Sequence, residues 1–401
     1  MRIASALSTL DSTGELWIDI ERQLKDGLGG ESLDVLLVFI SADWGPAFQL
    51  IVTPLRTALQ PKHLLAVIAE SVIGTDQEIE RTRAVSALGM SLPGATLNTF
   101  HLAEDEWGEL LTDDEALKSR LTPEGATTDD LRAFLFMADP FTTPIVQLLD
   151  ASSRVFPAAP VIGGMSSGVK APGETRLALD EAIHTSGLIG LSFSGHIEVD
   201  AVVSQGCRPI GKAFTITRCH KNIIEELDGQ TALAAIEQMV TTLPIHDRQL
   251  LATGGLQIGR VIDEGKGNYG RGDFLIRSLV GVRRDSGAIL IGDMVKPGET
   301  LQFHVRDAKT AEEEMRLLLE GETLLTTADP PLGALLITCN GRGTRLFDMP
   351  HHDVSLTRQV LGAIPVAGFF AAGELGPVGQ KNFIHGHTAV LALFRQPDAA
   401  T

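Results

Sequence analysis

Short, near-continuous apolar runs recur along this chain in a fixed order, with a helical segment between the first two runs of each group. Runs without polar interruption are typical of strands buried on both faces of a sheet. Three groups predict strands at 33–41, 63–71 and 84–92, at 131–139, 160–167 and 187–195, and at 333–340, 366–373 and 387–394. Their helices are predicted near Pro46, from about Pro144, and near 354–361. We interpret the groups as three copies of one strand–helix–strand–strand unit.

The second half contains a different pattern. Residues 274–282, 288–294 and 300–307 predict antiparallel strands, and a turn-rich segment at 284–287 joins the first two. The predicted fold class is therefore α/β, with mixed sheets built from the repeated units and covered by helices. The hairpin region is added to these sheets in the second half. We expect two domains, at 1–205 and 206–401.

Composition and net charge limit the kinds of molecule that this protein can bind. The chain has 401 residues, of which 44% are hydrophobic, and its formal net charge is −18. This charge disfavours nucleic acid and anionic membrane surfaces, which attract basic patches. No apolar run approaches the roughly 18 residues of a membrane-spanning helix, and the 3 cysteines are too few and scattered for a disulfide framework. We expect a cytoplasmic protein.

Three glycine-rich turns follow predicted strands in the last third, at 339–343, 368–377 and 385–388. Glycine permits a positive φ and a close approach of the backbone to a ligand. Arg342, Glu374 and His385 place polar groups in these turns, although the residues before Glu374 are apolar. A carboxylate there needs a partner, because an unpaired buried charge is costly. Arg342 is the candidate, either as a purely structural ion pair or as part of a ligand site.

These turns, together with 204–211 and 273–277, resemble the FIST family, named for F-box and intracellular signal transduction. The resemblance covers nearly the whole chain and is densest in the second half. It implies a small-ligand-binding sensory module of two domains, FIST N and FIST C. Family members are often fused to an effector segment, whereas none is visible here, so a stand-alone sensor would signal through an unidentified protein partner.

The resemblance implies amino acids or their derivatives as ligands, with haem-based sensing of nitric oxide as an alternative. A zwitterion would present its carboxylate to Arg342 and its ammonium to Glu374. One departure stands out, because Ala371 and Ala372 occupy positions where family members often carry Cys-Asn. The predicted ligand-binding residues are Cys339, Asn340, Gly341, Arg342, Gly373, Glu374, Asn382 and His385, with Gly164, Ser166, Arg277 and Asp307 as secondary candidates.

Cys339 ends a predicted strand before two glycines and Arg342, whose positive charge favours the thiolate. Its role is either simple packing or a reactive or ligand-contacting one. No haem ligand can be assigned by residue, so the cofactor is left unassigned. The histidine groups at 351–353 and 385–387 have no cysteine or carboxylate pair nearby in the sequence, so no metal is expected.

Other motifs favour other classes. Residues 206–212 have P-loop spacing, and 265–270 fit the dinucleotide pattern, but each is followed by a strand-like segment instead of the helix that would bind phosphate. Residues 164–168 spell the nucleophile elbow with Ser166 at its centre. A hydrolase using Ser166 therefore remains an alternative, as does a protein-interaction scaffold, and whether the protein is an enzyme stays open.

Overall fold

The computed structural model describes residues 1–325 and 330–397, and its strands form four sheets. Within these residues the helices are α1 (Thr13–Leu28), α2 (Phe48–Leu59), α3 (Trp107–Leu110), α4 (Asp114–Leu121), α5 (Ile145–Val155), α6 (Ala232–Thr242), α7 (Ile245–Gly254), α8 (Ala308–Leu325) and α9 (His352–Leu361). None of them has the length and apolar character that crossing a bilayer requires.

The strands of the first half are β1 (Arg2–Ser8), β2 (Val35–Ser41), β3 (His63–Ala69), β4 (Ser71–Gly74), β5 (Gln77–Glu80), β6 (Val85–Ser91), β7 (Ala95–Leu102), β8 (Leu131–Ala138), β9 (Val161–Met165), β10 (Leu177–Leu179), β11 (Ala182–His184), β12 (Leu188–Gly195) and β13 (Glu198–Gln205). Those of the second half are β14 (Cys207–His220), β15 (Ile223–Leu227), β16 (Gln230–Thr231), β17 (Leu256–Val261), β18 (Phe274–Arg283), β19 (Ala288–Ile291), β20 (Thr300–Arg306), β21 (Gly333–Cys339), β22 (Val366–Ala371), β23 (Glu374–Val378), β24 (Lys381–His385) and β25 (Thr388–Arg395).

The predicted three copies are confirmed by the pairing of their strands. In each copy the first strand runs parallel to the second and antiparallel to the last, as seen for β2 with β3 and β6. The same holds for β8 with β9 and β12, and for β21 with β22 and β25. The mixed α/β class is therefore confirmed. A strand absent from the prediction is added at one edge of each sheet, namely β1, β7 and β13.

The copies exchange hairpins, which the sequence did not predict. Hairpin β4–β5, which follows the second strand of copy one, extends the sheet of copy three through β22. Hairpin β10–β11 of copy two extends the sheet of copy one through β3. Hairpin β23–β24 of copy three extends the sheet of copy two through β9. Each copy therefore completes the sheet of another in a cyclic arrangement.

Alternating side chains of these three sheets fill one shared core, in which the rings of Phe39 and Phe369 stack with centroids 5.4 Å apart. The opposite faces of the sheets are covered by helices. On α1, Leu16, Ile20 and Leu24 follow the spacing of one helical face and pack on the first sheet. Burial on both faces explains why the central strands are apolar at nearly every position.

The chain forms two compact units, of which the first comprises 1–204, 315–384 and 388–401, and the second comprises 205–314 and 385–387. The second unit is an insertion into copy three, between β13 and the core strand β21. In it, β14, β20, β17, β18, β19 and β15 pair in order, and β14 also pairs with β15, which closes an antiparallel barrel-like sheet. The predicted antiparallel region is thereby confirmed, whereas the division into domains at residue 205 stays a prediction.

Candidate functional site

The ends of the second strands of all three copies meet in the first unit. The Ser166 hydroxyl donates to the Ile68 carbonyl over 2.9 Å, which joins copies two and one. The Met165 amide donates to the Gly373 carbonyl over 2.9 Å, which joins copies two and three. A Cβ on Gly168, whose φ is +74°, would lie 2.6 Å from that of Ala42. The second-strand ends of the three copies therefore lie together, and ligands of α/β sheets bind at such strand ends.

Arg342 lies just beyond β21, and its side chain has no exposed surface. Its Nε and one Nη donate to the two carboxylate oxygens of Asp353 over 2.7 and 2.8 Å. Burial alone would raise the pKa of Asp353, but the charge and hydrogen bonds of Arg342 outweigh it and hold that pKa well below its usual range. Thr338 also donates to this carboxylate over 3.0 Å. The ion pair predicted between Arg342 and Glu374 is thus formed with Asp353 instead.

Glu374 is the first residue of β23 and is fully buried. Burial raises the pKa of its carboxyl well above the usual value, and Thr388, Arg342 and Cys339 offset only part of this effect. The Thr388 amide donates to Oε2 over 3.2 Å. Among the described residues, neither Oε1 of Glu374 nor Nη1 of Arg342 has a hydrogen-bond partner. Both residues therefore keep an unsatisfied polar atom in the protein interior.

Glu78 belongs to the exchanged hairpin and adds a third buried carboxyl. Burial, then the negative charge of Asp353, raise the pKa of Glu78 to about 8. Oε1 accepts from the Val354 amide over 2.9 Å at the start of α9, and Oε2 has no partner among the described residues. The backbone of Glu78 contacts Nδ1 of His351. Copy one thus supplies an acid to a cluster otherwise built from copy three.

Cys339 is the last residue of β21 and is partly exposed. The Gly341 amide donates to its Sγ over 3.4 Å. Arg342 and Arg345 both lie close enough for a thiolate at Cys339 to raise their pKa values, although closer groups contribute more. Arg345 also pairs with Glu70 over 2.7 Å and donates to the Asn340 carbonyl. The sulfur therefore lies near two arginines, an amide donor and the carboxyl of Glu374.

The remaining predicted residues of this site serve mainly backbone geometry. Gly373 has φ +158°, and a Cβ there would lie 2.8 Å from Ile384. With its side-chain NH2 group turned toward the two acceptors, Asn340 donates to the Glu70 carboxylate and to the Phe370 carbonyl. Asn382 accepts from the Val161 amide over 2.8 Å and lines a separate cavity of about 420 Å³. The structure therefore joins Cys339, Asn340, Gly341, Arg342, Gly373 and Glu374, while Asn382 faces other partners.

The secondary candidates are engaged in structural contacts. Gly164 pairs with Glu374 across β9 and β23. Ser166 is buried and donates to a backbone carbonyl, and residues 166–176 form no helix. A nucleophile elbow needs a strand, a sharp turn and a helix. The helix that the alternative of a nucleophile elbow around Ser166 requires is therefore absent from these residues.

His385 belongs to the second unit, as do Arg277 and Asp307. Arg277 pairs with Asp293 over 2.8 Å, and Asp307 pairs with Arg208 over 2.8 Å, so they are not partners of each other. The P-loop-like segment runs into strand β14, and the dinucleotide-like segment precedes β18. Both expected departures from nucleotide-binding geometry are confirmed at the level of secondary structure.

Sequence reasoning missed Asp353 as the partner of Arg342, and it missed Glu78 altogether. Asp353 had a usable signal, because it lies in the first turn of the helix that follows the Arg342 turn. Glu78 had none, because its place depends on a hairpin that joins another copy's sheet. Within the described residues, no three histidine, cysteine or acidic side chains form a group that could hold a metal ion.

Fold and site together define a mixed α/β protein with a buried polar cluster where three repeated units meet. The model of the FIST N domain matches residues 34–230, and that of the FIST C domain matches residues 232–377. The chain belongs to the FIST family, whose domains are small-ligand sensory modules.

Two mycobacterial proteins are similar to this chain over nearly its full length. The uncharacterized protein Rv0628c of Mycobacterium tuberculosis is 37% identical over 396 residues, which cover 98% of this chain and 100% of that protein. The uncharacterized protein Mb0898c of Mycobacterium bovis is 36% identical, with 98% and 99% covered. Among solved structures, a cyanuric acid hydrolase gives a TM-score of 0.32 at 10% identity, covering 99% of this chain and 100% of that one. The A. caulinodans enzyme gives 0.35 at 9%, with 99% of each chain covered. Similarity at this level carries no functional implication.

Proposed function

We propose that this protein is a cytoplasmic sensory module that binds a small molecule, an amino acid or a derivative of one. It would signal through a partner protein. The observation that carries the proposal is the pair of unsatisfied atoms, Oε1 of Glu374 and Nη1 of Arg342. Buried polar groups are nearly always hydrogen-bonded, and leaving one unpaired costs about 1–3 kcal/mol.

A zwitterionic ligand would complement both atoms. Its carboxylate would accept from Nη1 of Arg342, and its ammonium would donate to Oε1 of Glu374. Because Asp353 already accepts from Nε and the other Nη of Arg342, the ligand carboxylate would receive one hydrogen bond from this side chain. Since both residues are buried, a ligand can reach them only if the surrounding structure opens.

The test is thermal stabilisation by a panel of amino acids and their derivatives. A ligand that binds only the folded state adds about 2.7 kcal/mol at one hundred times its Kd. Glu374→Gln should abolish this stabilisation. Glu322→Gln is a matched control, because burial also raises the pKa of Glu322, which is influenced by Asp200 and Arg395 instead. Equal loss in both variants, or no stabilisation by any member of the panel, would contradict the proposal.

The alternatives give different results in cheap measurements. A haem sensor would show a Soret band as purified, although His351 and His352 already contact Glu78 and Asp353. A hydrolase using Ser166 would lose turnover in Ser166→Ala. A scaffold would show neither property and would retain a protein partner.

A further inference from the structure

Three cysteines lie in contrasting surroundings in this protein. Cys339 is partly exposed at the end of β21, with Arg342 and Arg345 beside it and the carboxyl of Glu374, whose pKa burial raises, also close by. Cys219 lies near Glu299 and Glu225, and burial together with these carboxylates raises the pKa of its thiol. Cys207 is buried in the second unit. Positive charge favours the reactive thiolate, whereas negative charge and burial favour the inert thiol.

We propose that Cys339 is a site of reversible oxidation by hydroperoxides. The sulfur attacks one peroxide oxygen, so that an S–O bond forms while the O–O bond breaks. Cys339 is oxidised to a sulfenic acid, and the peroxide is reduced. For hydrogen peroxide, the departing hydroxide takes the thiol proton and leaves as water.

Two neighbours are suited to the oxidised product. Nη1 of Arg342 is a buried donor without an acceptor, and Oε1 of Glu374 is a buried acceptor without a donor, among the described residues. A sulfenic acid adds an oxygen that accepts from the first and an O–H that donates to the second. The Gly341 amide, which already donates to Sγ, provides a further contact. The reduced thiol, with its weak hydrogen-bonding sulfur, offers these atoms much less.

The oxidation would also link redox state to the proposed ligand site, because the same two atoms would then be occupied. The modification itself does not depend on a ligand. Labelling of the ligand-free protein therefore tests it separately from the thermal-stabilisation experiment above.

The experiment exposes the full-length reduced protein to a small excess of hydrogen peroxide in the presence of a 1,3-dione that traps sulfenic acids. Peptide mass spectrometry then measures labelling at each cysteine. We expect Cys339 to be labelled at least about tenfold faster than Cys207 or Cys219, in line with the greater thiolate fraction beside positive charges. Equal labelling of all three, faster labelling of Cys219, or no labelling at Cys339 would overturn the proposal.

Three surface variants, one of them a control, test the electrostatic cause. Arg345→Gln removes one positive charge beside Cys339 and should slow labelling several-fold, whereas the control Arg154→Gln on α5, which breaks a pair with Asp114 of α4, should not. Glu70→Gln removes the counter-charge of Arg345 and should speed labelling. If Arg345→Gln also speeds labelling, access and not charge controls the sulfur, and the electrostatic assignment fails.

Discussion

Arg342 donates a hydrogen bond to each carboxylate oxygen of Asp353, and neither side chain has any surface exposed to solvent. This pair fastens the glycine-rich turn after β21 to the first turn of α9. Thr338 and His352 also contact the carboxylate, so most of its hydrogen-bonding capacity is met within the protein. The pair therefore has a structural role beside the candidate site, while Oε1 of Glu374 has no hydrogen-bond partner among the described residues.

Removing the charge of Asp353 should be strongly destabilising. Asp353→Asn leaves the Arg342 guanidinium buried without a counter-charge, and breaking a buried pair typically costs about 3–5 kcal/mol. Asp348→Asn is the control, because Asp348 lies nearby in the chain but is exposed, and its cost should stay within about 0.5 kcal/mol. Urea unfolding of the two variants gives the comparison. A loss below about 1 kcal/mol for Asp353→Asn would show that the pair is dispensable.

The three repeated units could be predicted from the sequence because strands buried on both faces are apolar throughout, as in Val35–Ser41 and Gly333–Cys339. The hairpin exchange could not. Strand β5, Gln77–Glu80, is short and polar, and nothing local specifies that its hairpin pairs with β22 of another copy. Such pairings depend on tertiary context, which single-sequence patterns do not contain.

The candidate site divides in the same way. The glycine residues predict the turns, and the apolar neighbours of Glu374 predict its burial. Both features are present in the structure. The choice of partner for Arg342 does not follow, because Glu374 and Asp353 are both acids near it in the fold. Only the geometry of α9 places Asp353 for two hydrogen bonds.

Glu78 should make stability fall as pH rises. In the unfolded chain its carboxyl ionises near pH 4.5, whereas in the folded protein the pKa is about 8. Between these values the folded state holds an extra proton, so raising the pH favours unfolding by up to about 1.4 kcal/mol per pH unit. Glu78→Gln should flatten this dependence between pH 5 and 8, as measured by chemical denaturation. Glu115→Gln, at an exposed side chain, should leave it unchanged. Parallel pH profiles for wild type and Glu78→Gln would refute the assignment.

Gly163 should tolerate no side chain. Its φ is +141°, and a Cβ would lie 1.9 Å from the Phe136 carbonyl oxygen on the paired strand. Gly173 also has a positive φ, of +83°, but a Cβ there meets nothing within 4 Å. Gly173→Ala should therefore cost about 1–2 kcal/mol from backbone conformation alone. Gly163→Ala should lower the free energy of unfolding by more than about 4 kcal/mol, or prevent folding. Expression yield and urea unfolding measure these two outcomes. Similar costs at the two positions would mean that β8 and β9 can separate to admit a methyl group.

Ligand binding should release a proton. Burial raises the pKa of the Glu374 carboxyl well above its usual value, so the ligand-free protein keeps this proton to a higher pH than an exposed glutamic acid does. An ammonium group at Oε1 favours the ionised carboxylate, and binding therefore displaces the proton. Affinity for an amino-acid ligand should then rise with pH, by up to about tenfold per pH unit, until the pH exceeds the pKa of Glu374 in the ligand-free protein. Calorimetry in two buffers of different ionisation enthalpy measures the number of protons released on binding. Proton uptake on binding would exclude Glu374 as the site of the ammonium.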